Sequence, residues 1–215
     1  KFYNYLLLNE DIAGEARDYL KKRGFSDSDI KNYHLGYAPD RWRSLLKFLK
    51  NRGYNTEILL ESGLVKKKNG TYYDSFRGRI IFPIFNIRGE VLAFGARILA
   101  DDREAPKYIN SPETLIYDKG KNLYGINWAK SAFRKQDFAV IMEGYTDVLR
   151  AQKNGIKNTA ASLGTSLTEA QARLLKRYVD DVYIAYDADT AGNNAALRGL
   201  TILKNKGLGV KIIKL

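Results

Sequence analysis

The chain has 215 residues, no cysteine, one histidine and a formal net charge of +12. Because cysteine is absent and His34 stands alone, the sequence excludes a disulfide framework and a thiolate or multi-histidine metal site, so any metal must be held by oxygen atoms. The positive charge predicts a polyanionic partner, with nucleic acid favoured over a membrane surface.

Hydropathy indicates a soluble cytoplasmic protein. The sequence contains no run of 18 apolar residues without charge, so no membrane span is expected. The first residues, KFYNYLLLNED, are too polar and too short in their apolar part to form a signal peptide.

Residues 1–136 are predicted to form a mixed α+β domain. Three stretches with apolar residues spaced i, i+3, i+4 predict amphipathic helices: 11–23, 42–51 and 56–62. Asn69-Gly70 between two β-prone arms predicts a hairpin, and two further strands follow as RIIFPIFN and EVLAFGARIL. The domain holds 25 Lys and Arg against 16 Asp and Glu, which is +9 of the +12, so we expect it to supply the basic surface.

Residues 137–215 are predicted to form an α/β domain. Four short apolar segments alternate with helical patterns and are predicted to be strands: FAVIME, NTAASLG, DVYIAYD and VKIIKL. Strands separated by helices indicate a parallel sheet covered on both faces, because each parallel return needs a crossover. Ligands of such sheets bind at the carboxyl ends of the strands.

Acidic residues are predicted at this edge of the sheet. Glu143 ends the first strand, and Asp187 with Asp189 ends the third. Carboxylates brought together repel one another, and a hard divalent cation such as Mg²⁺ resolves that conflict. Gly144 and Gly192 follow the acids and would let a phosphate-bearing ligand approach the backbone. For an isolated Asp-x-Asp, an exposed turn or a helix N-cap is the alternative interpretation.

Several motifs resemble those of a known family. Three blocks of the second half resemble the TOPRIM domain shared by bacterial primases, topoisomerases and some nucleases: EGYTD, ASLGT and YDADTAG. Blocks of the first half are similar to the RNA polymerase domain of the DnaG-type bacterial replicative primases: FRGRIIFPI, GAR, PKYINSPET and a lysine followed by LYG. The resemblance covers essentially the whole chain.

The resemblance implies roles for individual residues. The implied ligands of two catalytic Mg²⁺ or Mn²⁺ ions are Glu143, Asp187 and Asp189, with Asp147 as a supporting catalytic acid. The residues implied to contact template or nucleotide are Arg77, Arg79, Arg97, Lys107, Asn110, Lys119 and Tyr145. Arginine and lysine neutralise phosphate charge, and an aromatic ring can stack on an unpaired base. The ASLGT block is expected to form a tight turn, with Gly164 beside the phosphates.

The function implied by the resemblance is that of the catalytic core of a DNA primase. Such an enzyme makes short RNA primers on single-stranded DNA: a 3′-hydroxyl attacks the α-phosphorus of a ribonucleoside triphosphate and pyrophosphate leaves. The expected partners are the template, the nucleotides, the RNA–DNA hybrid and a replicative helicase contacted through a domain outside this sequence; a membrane is not among them. An acidic block of DPD type and a zinc-binding domain are also missing, so a fragment of a larger primase is expected.

Two other functions use the same features. A TOPRIM nuclease would cleave DNA with the same acids, although the blocks of the first half favour a primase. A non-catalytic module would bind single-stranded DNA through the positive charge, and its binding would be sensitive to salt but indifferent to Asp187 and Asp189.

The remaining aromatic residues are interpreted as packing residues. Those expected in the core of a sheet are Tyr72, Tyr73, Phe82, Phe85 and Phe94. Those expected to pack on helices are Trp42 and Trp128.

Overall fold

A computed structural model describes residues 1–100, 105–164, 166–187 and 190–213. The chain divides into two compact units, of which the first comprises Lys1–Ile84 with Leu92–Tyr117 and the second Phe85–Val91 with Asp118–Leu215. Within the described ranges, every helix is too short or too polar to cross a membrane.

The first unit is a mixed α+β structure, which confirms the predicted fold class for this part of the chain. Its helices are α1 (Phe2–Asn9), α2 (Gly14–Lys22), α3 (Asp27–Asn32), α4 (Ser44–Lys50) and α5 (Thr56–Glu61). Its strands are β1 (Gly36–Ala38), β2 (Val65–Lys68), β3 (Thr71–Asp74), β4 (Arg79–Phe85), β5 (Val91–Ile98) and β6 (Tyr108–Asn110), except that Phe85 and Val91, at the ends of β4 and β5, belong to the second unit. One sheet has the strand order β1-β4-β5-β6, and β2 pairs with β3 separately.

The hairpin between β2 and β3 forms where the sequence predicts it. Asn69 and Gly70 both have positive φ, 48° and 73°. A primed two-residue turn needs this geometry at both central positions, and asparagine and glycine adopt it at the lowest cost. The antiparallel register then brings Val65 opposite Asp74.

Strand β4 is buried along its whole length and supplies much of the core of the first unit. Phe76 and Ile81 pack there with Leu45, the first buried residue of α4. Of the aromatic residues predicted in the core, Phe82 and Phe85 are buried, whereas Tyr72, Tyr73 and Phe94 are half-buried.

The prediction that Trp42 packs on a helix is wrong. Helix α4 begins only at Ser44, and the side chain of Trp42 is 64% exposed. Its ring lies under the guanidinium of Arg77 at 4.3 Å and edge-on to Tyr73 at 5.6 Å. The start of α4 is fixed by a residue distant in sequence, since the carboxylate of Asp74 accepts the first backbone N–H groups of the helix.

The second unit is the predicted α/β structure. Its helices are α6 (Ile126–Gln136), α7 (Tyr145–Lys153), α8 (Glu169–Lys176) and α9 (Thr190–Lys204). Its strands are β7 (Phe138–Met142), β8 (Thr159–Ala161), β9 (Asp181–Ala185) and β10 (Gly209–Ile212). The strand order is β10-β9-β7-β8, and all three pairings between these strands are parallel. Buried residues of this sheet, such as Ile141 and Ile184, share one core with α6, α8 and α9.

Helix α6 was not predicted, and it bears on the domain boundary. Its residues Ala129 and Phe133 are buried in the core of the parallel sheet, and Asp137 ends the helix in the left-handed conformation. The second compact unit therefore already includes the chain from Asp118 onward, whereas the sequence predicted a boundary between residues 136 and 137.

Replacing Asp74 should destabilise the first unit. Asp74 is 2% exposed, and its two carboxylate oxygens accept the N–H groups of Leu45 and Leu46 at 2.7 and 2.9 Å. Asp74→Ala leaves both donors buried without a partner, so we expect a loss of about 1–3 kcal/mol in the free energy of unfolding. Urea denaturation measures it. The exposed Asp27→Ala is the control, and an equal effect of both changes would contradict the prediction.

The same residue should make stability depend on pH. Burial raises the pKa of Asp74, although the N–H groups of Leu46 and Leu45 and the charge of Arg77 oppose the change. The folded protein then binds a proton on the Asp74 carboxyl more tightly than the unfolded chain does. The stabilisation that this proton gives is complete below the ordinary pKa of 3.8 and is lost as the pH rises through the pKa of the folded state.

We therefore expect the free energy of unfolding of the parent, measured relative to Asp74→Asn, to decrease as the pH rises through this range. Denaturation curves of both proteins at a series of pH values test it. If the stability of the parent relative to Asp74→Asn instead increased with pH, the backbone hydrogen bonds would outweigh burial, and the pKa of Asp74 would be lowered and not raised.

Candidate active site at the carboxyl edge of the parallel sheet

Two of the predicted acids follow neighbouring strands at the same edge of the sheet. Met142, the last residue of β7, lies opposite Ala185, the last residue of β9. Glu143 comes directly after the first of these residues, and Asp187 comes two residues after the second. The parallel register therefore places both carboxylates at the carboxyl ends of adjacent strands, as predicted.

A cleft of about 320 Å³ opens at this edge. The residues that line it are Met142, Glu143, Asp147, Arg150, Ala151, Asn154, Ile156, Ala185 and Asp187. Three of these side chains are carboxylates and one is a guanidinium, and all four are exposed. Like charges held in one cleft favour binding of a cation, so the described lining suits a positively charged ligand or a metal ion.

Glycines allow the acids to lie close to the backbone. A Cβ atom on Gly192, near the start of α9, would collide with the carbonyl oxygen of Asp187 and would lie 2.8 Å from a carboxylate oxygen of Glu143. A Cβ atom on Gly144 would lie 2.7 Å from a carboxylate oxygen of Asp147. The space at both glycines is therefore occupied by the acids, whereas the sequence suggested room for a phosphate.

Gly164 of the ASLGT block has a φ of 71° and is exposed. Its N–H donates to the carbonyl of Ser162 at 3.1 Å, so residues 161–164, the described part of the block, turn tightly after β8. Its position beside phosphates stays a prediction.

Helix α7 carries the third acid into the cleft. Gly144 is its N-cap, and Asp147 and Arg150 lie one turn apart on the face that lines the cleft. Tyr145 is only 7% exposed, and its ring packs edge-on against Tyr124 at 4.7 Å. The ring of Tyr145 therefore presents no open face on which an unpaired base could stack.

Arg150 was not identified from the sequence. It forms no ion pair with any residue in the described part of the chain. The i, i+3 spacing from Asp147 on a predicted helix was the available signal, because that spacing puts both side chains on one face.

The donor atoms at this edge fit a hard divalent cation. Glu143, Asp147 and Asp187 offer carboxylate oxygens, which Mg²⁺ and Mn²⁺ prefer. Within the described residues, these acids do not by themselves form a complete group of three ligands. Asp189, the other predicted ligand, lies outside the described residues.

Tyr186 cannot serve as a base beside the acids. Burial raises the pKa of its phenol, and the negative charge of Glu143 acts in the same direction. Its side chain belongs to the core of the second unit. The hydroxyl therefore stays protonated at neutral pH.

The predicted basic residues of the first unit differ in exposure. Arg79 is 7% exposed and donates to the carbonyl of Pro106 at 2.9 Å, so little of it is available to a ligand. Arg97 is half-buried over the ring of Tyr19 at 4.1 Å. Lys107 is exposed.

Arg77 and Asn110, which also belong to the first unit, are half-buried. The guanidinium of Arg77 donates to the carbonyl of Asp74 at 2.8 Å while it covers the ring of Trp42. Asn110 is the last residue of β6 and pairs with Gly95 on β5.

Lys119 belongs to the second unit, the one that contains the acids. It begins a short 3-10 helix, Lys119–Lys121, and its side chain is exposed. In the described ranges it has no ion-pair partner, whereas the neighbouring Lys121 pairs with Asp118 at 2.9 Å.

Comparisons with known proteins agree with this geometry. Residues 2–130 match the family described as DNA primase catalytic core, N-terminal domain, and residues 140–215 match the Toprim-like family. The predicted domain boundary after residue 136 lies between the two matched ranges, and we retain it as a proposal.

Individual relatives are similar over nearly the whole chain. A DNA primase of Clostridium acetobutylicum is 48% identical over 211 residues, which cover 98% of this chain and 35% of the relative. A DNA primase domain from Pseudomonas aeruginosa has a TM-score of 0.92 at 38% identity and is matched over 100% of this chain and 68% of its own.

A third similar protein is a DnaG primase catalytic domain whose structure was solved bound to single-stranded DNA. Its TM-score is 0.90 at 37% identity, over 100% of this chain and 67% of that one. The chain spans about a third of the length of the curated relatives it matches.

Adding a methyl group at Gly192 should damage the acid site. Gly192→Ala places an atom against Asp187 and Glu143, so both must move, and we expect binding of Mn²⁺ to weaken about tenfold or more. Isothermal titration with Mn²⁺ measures this change.

Gly199→Ala in the same helix is the matched control. Its Cβ atom would meet Ile184 at an ordinary 3.4 Å, so Mn²⁺ binding should be unchanged and helix stability should gain up to about 1 kcal/mol. Equal Mn²⁺ affinity of Gly192→Ala and the parent would contradict the role of Gly192.

Proposed function

Because this chain belongs to the DnaG-type DNA primase family, as part of its catalytic core, we propose that it synthesises short RNA primers on single-stranded DNA. The substrates are ribonucleoside triphosphates, and the reaction is nucleotidyl transfer that depends on divalent metal ions. The whole relatives are about three times as long, so the proposal concerns the catalytic step and not the complete replication activity.

One observation carries the proposal. Glu143 and Asp187 follow register-paired strands and line one cleft with Asp147. An edge of this kind concentrates negative charge in one cleft, which suits the binding of metal ions beside phosphate groups. Nucleases share this requirement, and the match of residues 2–130 to the primase catalytic core favours primer synthesis over cleavage.

In this proposal Glu143, Asp187 and Asp189 hold two Mg²⁺ or Mn²⁺ ions, with Asp147 in support. When bound, such ions neutralise the charge that develops on the transferred phosphate group. Apart from the three carboxylates, the described lining of the cleft consists of Arg150, Asn154 and apolar residues. Arg150 is placed to attract the triphosphate.

The basic residues bind the strands and the nucleotide. Lys107 and Lys119 are exposed and suit direct contact with phosphates, whereas the half-buried Arg77 and Arg97 are held by aromatic rings and by backbone carbonyls. Tyr186 is kept protonated, and we assign no side chain as general base. Positioning and charge neutralisation then account for the rate.

The proposed partners follow from the same reaction. They are the single-stranded template, the nucleotides and the RNA–DNA hybrid, at the replication fork. We also propose the replicative helicase, contacted through parts of the longer relatives that this chain does not span.

A denaturing gel tests the proposal. The chain is incubated with single-stranded DNA, labelled ribonucleotides and Mg²⁺ or Mn²⁺, alongside Asp187→Asn. We expect short RNA from the parent and a loss of at least about a hundredfold in the variant, because one metal-binding carboxylate is removed.

Asp181→Asn is the matched control, since this exposed aspartate lies at the opposite end of the same strand. It should retain the parent activity. Shortened DNA without RNA would replace the proposal with a nuclease. Absence of both products from the parent, with salt-sensitive DNA binding that ignores Asp187, would leave a DNA-binding module.

A further inference from the structure

The turn that carries Lys119 is held by a buried polar side chain on another helix. Gln171 of α8 is fully buried, at 0% exposure. Its amide nitrogen donates to the carbonyl of Lys119 at 3.0 Å and to the carbonyl of Asn122 at 2.8 Å. Its amide oxygen accepts the N–H of Thr168 at 3.0 Å, so these three hydrogen bonds of the side chain are all to backbone groups.

Thr168 supplies a second contact to the same turn. Its hydroxyl donates to the carbonyl of Gly120 and accepts the N–H of Gln171 at 3.1 Å. Thr168 and Gln171 thus form the capping box at the start of α8 while they bind the backbone of residues 119–122. We call these two residues the α8 clamp.

The turn is also closed from within and attached to the sheet. Asp118 accepts the N–H of Gly120 at 2.9 Å and pairs with Lys121. A few residues later, Tyr124 forms two backbone hydrogen bonds with Ala161, the last residue of β8. Since β8 pairs with β7, the turn is tied to the strand after which Glu143 lies.

A fully buried glutamine is costly unless its polar atoms are paired, and an apolar residue would fill the same space more cheaply. The hydrogen bonds of Gln171 fix the main chain at Lys119 but leave its side chain exposed. Lys119 is thus an exposed cation on a rigid backbone, and it has no ion pair in the described ranges. Such a cation is suited to holding an anion in one place.

We propose that the α8 clamp positions Lys119. It holds the backbone of this residue at a fixed place relative to the carboxyl edge of the parallel sheet, so that the ammonium group binds a phosphate. This inference rests on the proposed function for its ligand, a phosphate of single-stranded DNA or of a nucleoside triphosphate. Gln171 and Thr168 are positioning residues, because they act through Lys119.

A double-mutant cycle tests the proposal by binding, so it does not depend on turnover. The proteins are the parent, Gln171→Leu, Lys119→Gln and the double variant. One arm titrates a fluorescein-labelled oligothymidylate at several salt concentrations, and the other titrates ATP with Mg²⁺. For DNA, loss of one phosphate contact should reduce the slope of log affinity against log salt by about 0.7.

We expect Gln171→Leu to weaken the same ligand that Lys119→Gln weakens. The double variant should be no weaker than Lys119→Gln alone, since the clamp has nothing left to position. The ligand affected identifies the source of the phosphate. In case Gln171→Leu does not fold, Thr168→Val removes the hydroxyl at constant shape, and Thr168→Ser should restore the parent affinity.

Gln152→Leu separates positioning from general stability. Gln152 is a buried glutamine of α7 that donates to the carbonyls of Gly125 and Thr159, at 3.3 and 2.9 Å. Its loss should lower Tm about as much as Gln171→Leu does, but it should leave the effect of Lys119→Gln unchanged.

Three results would overturn the inference. They are additive effects of Gln171→Leu and Lys119→Gln, a lower Tm of Gln171→Leu with unchanged binding, and a Lys119→Gln variant that binds both ligands like the parent. The third result would also remove Lys119 from the proposed phosphate contacts. Primer synthesis itself is decided separately, by RNA synthesis in the parent and Asp187→Asn proteins.

Discussion

The register between β7 and β9 is the constraint on which the site depends. Apolar burial of Ile141 and Ile184 fixes that register, because a shift by one residue would turn the core side chains of the strand to the opposite face. The same register brings Glu143 and Asp187 to one edge, although their charges repel each other. Hydrophobic packing of the sheet thus offsets the electrostatic cost of the site, and the exposed position of the acids keeps that cost low.

Buried glutamines extend this rigidity to the chain that precedes the sheet. Gln171 binds the carbonyls of Lys119 and Asn122, and Gln152 binds those of Gly125 and Thr159. Gln171 therefore attaches residues 119–122 to α8, and Gln152 separately attaches Gly125, the N-cap of α6, to α7. These hydrogen bonds, with the burial of α6, explain why the first unit ends at Tyr117 and not at the start of the first parallel strand.

Local sequence patterns predicted those elements whose structure is decided locally. The hairpin at Asn69-Gly70 and the alternating strands and helices after Asp137 are of this kind. Helix α1 was missed because its apolar residues are not confined to one face, and α6 because it starts after Gly125 in the left-handed conformation, without a side-chain cap. Strands β1 and β6 have three residues each and exist through their pairing with β4 and β5.

The features of the site also differ in whether the sequence could predict them. Glu143 and Asp187 could be predicted because the end of a parallel strand is visible in sequence, and Asp147 followed from the family motif. The open face expected of Tyr145 is lost because the ring is buried against Tyr124, a contact over twenty residues that no local pattern encodes. The α8 clamp was beyond sequence reasoning for a related reason: Gln171 acts on carbonyl groups, which every residue possesses, so the identity of its partners carries no signal. Chemistry that resides in side chains can be inferred from sequence, whereas positioning through the backbone appears only once the chain is folded.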